Sequence, residues 1–226
     1  MGGAHIGFNV DPAYTRLIDM SGGFRGKLLL ALALFLLSLL TVLAWEFDYF
    51  RGDLEFAQFI QSIERPPVPR ILVGLSWLGA GWTPWILTTL TGLLVLWIYS
   101  SLKRWVIIFW VGLGCGAVIL NLMKSLTMRP RPTLPLVQVL IEYPGFSFPS
   151  GHVMFFIQYF GFLCILACAV TERALVRRAA LVLLSVPIAL VGISRIYIGA
   201  HWPSDVIGGY LLGGVLLAAM VRLYRS

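Results

Sequence analysis

Charge is scarce in this 226-residue chain. Asp, Glu, Lys and Arg make up 12% of it, about half the share of an ordinary soluble domain. Hydrophobic residues make up 59%, which excludes a water-exposed globule and points to an integral membrane protein. Acids are the scarcer sign, ten against seventeen basic residues, for a net charge of +7. The basic residues gather at the ends of apolar runs and no basic stretch alternates with aromatics, so nucleic acid is set aside as a partner. Cysteine is limited to Cys115, Cys164 and Cys168, all within apolar runs. An odd number of buried thiols excludes a disulfide framework. No Cys-x2-Cys or His-Glu-x2-His spacing is present, so no metal and no cofactor is expected.

What is there in quantity is apolar sequence. Six runs are long enough, or nearly so, to cross a bilayer at about 20 residues each. They lie near 28–45, 82–99, 105–126, 153–171, 179–193 and 206–223. The runs are continuous rather than alternating, so the spans are helices and not barrel strands. The expected fold is all-α: a polytopic six-transmembrane-helix bundle, one membrane-embedded domain over 1–226, with a cytoplasmic segment at 1–26 and catalytic helices in 105–223. Between spans one and two, Phe56, Phe59, Ile60 and Ile63 share a helical face. An amphipathic helix lying along the extracytoplasmic surface is therefore expected, ended by Pro66, Pro67 and Pro69. Ten Lys and Arg residues fall at one set of span ends and seven at the other, three of those seven in motifs described below. That bias places both termini in the cytoplasm of a multi-pass cell-membrane protein.

Three blocks then stand out at span ends: Lys124-x6-Arg131-Pro132, Pro149-Ser150-Gly151-His152, and Ser194-Arg195-x5-His201-x3-Asp205. With six spans, all three fall on the extracytoplasmic side. Ser150 precedes a helix start as an N-cap would, where free N–H groups suit an anion, and Gly151 permits close backbone approach. Pro203 suits the first turn of the last span. His201 and Asp205 are four apart, so the carboxylate can reach back to one imidazole nitrogen and leave the other as a nucleophile. Lys124, Arg131 and Arg195 supply three cations, whereas the nearby Arg129 reads as a residue snorkelling to lipid headgroups. Phosphoryl transfer needs charge on the equatorial oxygens, an in-line nucleophile and a proton for the leaving oxygen, and these residues hold all three.

The three blocks resemble the signature of the type 2 phosphatidic acid phosphatase superfamily, Lys-x6-Arg-Pro, Pro-Ser-Gly-His and Ser-Arg-x5-His-x3-Asp, at all eleven fixed positions. The resemblance runs from about residue 105 to the C-terminus. It implies catalysis by His201 as nucleophile, oriented by Asp205, with His152 as the acid. It implies that Lys124, Arg131, Arg195, Ser150 and Gly151 hold the phosphate, without a metal. The expected activity is hydrolysis of a lipid phosphate or diphosphate of the phosphatidic acid, phosphatidylglycerol phosphate or undecaprenyl diphosphate class, through a phosphohistidine. A lipid phosphotransferase using the same intermediate, and a non-enzymatic transporter or scaffold, remain alternatives. Oligomeric state is not legible.

Overall fold

The computed structural model describes residues 23–63 and 67–225, and the segment before residue 23, including His5, lies outside them. Among the described residues the regular structure is all helix, with no strand, and residues 128–150 form a long non-helical segment. In chain order α1 is Phe24–Glu46, α2 Arg51–Gln61, α3 Val68–Trp77 and α4 Thr83–Ile98. After a 3-10 turn at Ser100–Leu102 come α5 Lys103–Thr127, α6 Gly151–Val170, α7 Ala174–Tyr197 and α8 Pro203–Arg225. Five of these (α1, α5, α6, α7 and α8) are long and apolar enough to cross a bilayer. The expected second span, α4, is an apolar helix of only 16 residues. At about 1.5 Å per residue it measures roughly 24 Å, short of the ~30 Å hydrocarbon core. The chain is a multi-pass membrane protein.

The bundle is organised around α6, which is more than half buried and packs on α7 and α8. Phe155, Phe156 and Phe162 are core residues, and Phe162 stacks on Phe109 of α5 with centroids 4.0 Å apart. By contrast α1 exposes Leu28, Leu29, Leu32 and Phe35, the behaviour of a helix whose solvent is lipid. The α6–α8 contact is close because α8 presents glycines. A Cβ at Gly209 would sit 2.7 Å from the Ser150 carbonyl oxygen, and one at Gly213 2.8 Å from the Ile157 Cβ.

Several sequence expectations change. Ile60 points inward with Ala57 and Asp53, whereas Phe56 and Phe59 are exposed, so the expected shared face of α2 is divided. The helix ends at Gln61, before the prolines; Pro67 and Pro69 instead open α3, where a missing N–H costs nothing. Pro66 lies outside the described residues. Helix α7 starts at Ala174, five residues before its apolar core, and runs four past Ile193 to reach Arg195. Trp105, at the start of α5, is buried and stacks on Tyr224 near the end of α8. Cys115 is exposed on the outer face of α5, not buried.

Candidate active site

The signature residues meet at one end of the bundle because four helix ends meet there. Lys124 lies in the last turn of α5, which closes at Thr127 on Met128 in a left-handed conformation. His152 lies in the first turn of α6, Arg195 in the last turn of α7, and Asp205 in the first turn of α8. Arg131 stands in the segment between α5 and α6, and His201 in the turn between α7 and α8.

Lys124 and Arg131 grip the same stretch of chain. The Lys124 ammonium donates to the carbonyls of Phe146 at 2.5 Å and Ser147 at 3.2 Å, and Arg131 Nε donates to that of Gly145 at 3.1 Å. Arg131 Nη1 donates to the Ala200 carbonyl at 2.8 Å and stands 3.2 Å from His201 Nε2. Burial, opposed by Asp205 and Tyr143, brings the Arg131 pKa below its ordinary value. Arg195 is 1% exposed, and its Nη1 donates to Ser76 Oγ and, at 3.1 Å, to the Tyr143 hydroxyl. Its guanidinium lies over the Tyr143 ring, 4.3 Å from the centroid. Burial raises the Tyr143 phenol, but hydrogen bonds with Arg195 and Ser76 and the charges of Arg195 and Arg131 outweigh it, and the net direction is down.

His201 is 2% exposed, and its pKa lies well below the usual imidazole range. Burial is the largest cause, followed by the positive charges of Lys124, Arg195 and Arg131. The ring is therefore neutral at physiological pH and carries a lone pair. Its Nδ1 faces Asp205 Oδ2 at 3.6 Å, longer than a hydrogen bond. The Ser147 hydroxyl stands beside both, donating to Asp205 Oδ2 at 2.5 Å and 3.4 Å from Nδ1. Asp205 Oδ2 also accepts from the Trp202 N–H at 2.9 Å, and Oδ1 pairs with Arg129 at 2.6 Å. The expected reach from Asp205 to His201 is thus present in direction and incomplete in length.

Ser150 takes the N-cap position of α6, yet its hydroxyl makes no cap bond. Ser150 Oγ, His152 Nε2 and Arg195 Nε are buried polar atoms without a partner among the described residues. An unpaired buried donor or acceptor costs about 1–3 kcal/mol. Gln158 Oε1 and Trp202 Nε1 are also without a partner among the described residues, so three of the five such atoms lie on signature residues. Gly151, the first residue of α6, adds a helix N-terminus to the same place.

Sequence reading missed four contributors. Arg129 does not snorkel: it is 1% exposed and pairs with Asp53 at 3.1 Å as well as with Asp205. Asp53, Ser76 and Ser147 are likewise buried at the site. The first two come from α2 and α3, and nothing in their local sequence sets them apart. Arg129 carried one signal, two prolines within three residues, which turn the chain back toward the bundle.

The PAP2 superfamily model matches residues 105–226. The chain is 31% identical over 176 residues to the decaprenylphosphoryl-5-phosphoribose phosphatase of Mycobacterium tuberculosis, covering 74% of this chain and 87% of that protein. It is 28% identical over 166 residues to phosphatidylglycerophosphatase B of Bacillus subtilis, covering 62% and 75%. The crystal structure of a transmembrane PAP2-type phosphatidylglycerolphosphate phosphatase from Bacillus subtilis superposes with a TM-score of 0.70 at 23% identity, over 84% of this chain and 94% of that one, and so shares the fold. Its helices, its clustered signature and these relatives agree: the chain belongs to the PAP2 superfamily and is a membrane phosphatase.

Proposed function

We propose that the chain hydrolyses a lipid phosphate or diphosphate at the extracytoplasmic face through a phosphohistidine on His201. The observation that carries this reading is the His201 imidazole: neutral, buried, Nδ1 turned to Asp205 and Nε2 turned to Arg131. Nε2 attacks phosphorus and the bond to the leaving oxygen breaks, with His152 giving that oxygen its proton. Water then attacks the phosphohistidine, passes a proton back to His152, and frees His201 and phosphate. Lys124, Arg131, Arg195, Ser150 and the Gly151 N–H hold the phosphoryl oxygens. Three protein cations supply the charge, so the reading needs no metal.

The leaving group is a lipid alcohol or lipid phosphate. A cavity of about 250 Å³ opens beside His152 and Gly151 and is walled by Trp85, Leu113, Leu120 and Phe155. An apolar wall on the side of the proposed acid suits an apolar leaving group. The relatives' names support water as acceptor over an alcohol. In this reading α4 completes a sixth crossing, so 1–226 forms one domain with both termini in the cytoplasm, and α2 lies at the outer surface with Phe56 and Phe59 toward lipid.

The test is release of phosphate by detergent-purified protein from phosphatidic acid, phosphatidylglycerol phosphate and undecaprenyl diphosphate, with a soluble sugar phosphate as control. Lipid substrates are expected to be turned over in chelator and inhibited by vanadate. His201→Ala is expected to lose roughly a thousandfold or more. Substrate phosphate should label the protein with an acid-labile, alkali-stable bond. Wild-type turnover by His201→Ala, or an alkali-labile label, contradicts the mechanism.

A further inference from the structure

The Asp205 carboxylate is held by Arg129, a variable position within the first signature block, and through it by Asp53, which lies outside all three blocks. Arg129 Nη1 donates to Asp205 Oδ1 at 2.6 Å and to Ser204 Oγ at 2.7 Å, while Nη2 pairs with Asp53 Oδ2 at 3.1 Å. Its Nε donates to the carbonyls of Phe47 and Asp48 at 3.2 and 3.1 Å, so all three nitrogens are engaged. Asp53 in turn accepts from the Ser204 N–H at 2.8 Å and the Ser204 hydroxyl at 2.6 Å. It thereby caps the first turn of α8, the turn that carries Asp205. Arg129, Asp53, Ser204 and Asp205 are all buried.

The arrangement has an electrostatic consequence. A buried guanidinium paired with Asp205 alone would neutralise the carboxylate that faces His201. A second carboxylate on the same guanidinium shares that charge and leaves Asp205 anionic toward the imidazole. The planar fork of Arg also sets direction, which a Lys cannot do.

We propose that Asp53 and Arg129 are positioning residues for the nucleophile: Asp53, carried on α2, engages Arg129 in a shared ion pair that sets the place and charge of the Asp205 carboxylate behind His201. The proposal rests on His201 being the nucleophile. It gives α2 a part in the chemistry, although that helix lies before the segment matched by the family model.

The experiment compares full-length wild type, Asp53→Asn, Arg129→Lys and His201→Ala in detergent, with dioctanoyl phosphatidic acid as probe. Thermal stability, kcat, KM and the rate of phosphoenzyme formation are read for each. Asp53→Asn keeps the shape and an acceptor for the Ser204 N–H and removes the charge. It is expected to fold, to keep KM within about twofold, and to lose roughly ten- to a hundredfold in kcat with an equal loss in phosphoenzyme formation. Arg129→Lys is expected to show the same split. A purely structural ion pair predicts lowered thermal stability with kcat per folded molecule unchanged, and that result overturns the proposal. So does a loss confined to KM, or failure of both chains to fold. A dead His201→Ala beside a fully active Asp53→Asn defeats this proposal alone, whereas an active His201→Ala defeats the reading beneath it.

Discussion

A hydroxyl with nothing to bond to separates function from stability at the residue scale. Ser150 Oγ is buried and unpartnered, so removing it takes no interaction from the folded protein. Ser150→Ala is expected to melt at or slightly above the wild-type temperature. It is expected to lose about ten- to a hundredfold in kcat/KM, the worth of one hydrogen bond to a charged group. A thermal melt alongside phosphate release checks both halves, and a destabilised but fully active variant would make Ser150 an ordinary cap. The signature residues were legible because their spacing is fixed by helix ends. Arg129 was not, since a basic residue at a span end looks the same whether it meets lipid headgroups or a buried carboxylate. Its partner Asp53 is 76 residues away and arrives only when α2 folds back.

At the scale of elements, the close packing of α6 on α8 places the two imidazoles. Gly209 faces the Ser150 carbonyl, and an added Cβ would also stand 2.9 Å from Val153 Cβ. That backbone carries His152 two residues on and cannot yield without moving it. Gly209→Ala is therefore expected to cost about 1–3 kcal/mol and to lower kcat as well. A drop in melting temperature with full activity would show that α6 moves as a rigid body without disturbing the site. The apolar runs predicted these helices to within a few residues at α1, α5 and α6. They understated α7, because Arg177, Arg178 and Arg195 interrupt hydrophobicity without interrupting backbone hydrogen bonding. The burial pattern of α2 was not legible for a related reason: helical spacing alone cannot tell a buried Ile60 from an exposed Phe59, since both side chains are apolar.

At the scale of the whole molecule, the proposed orientation makes a direct prediction. Leu134 is exposed in the segment between α5 and α6, and Ser101 is exposed between α4 and α5. With six crossings and cytoplasmic termini, a membrane-impermeant maleimide should label Leu134→Cys in intact cells. It should label Ser101→Cys only after permeabilisation, each read against the parent chain with its own three cysteines. The reverse pattern would turn the site to the cytoplasm. By itself the sequence determined the solvent of this protein, since so little charge cannot clothe so much apolar surface in water. It also pointed to a phosphatase, since cations and imidazoles at fixed spacing from helix ends have few other uses. Only the tertiary structure decided which charges are spent on one another. Burial and pairing depend on which distant segments return to the same place, and here α2 and α3, remote in sequence, close over the helix ends and bring Asp53 and Ser76 to the site.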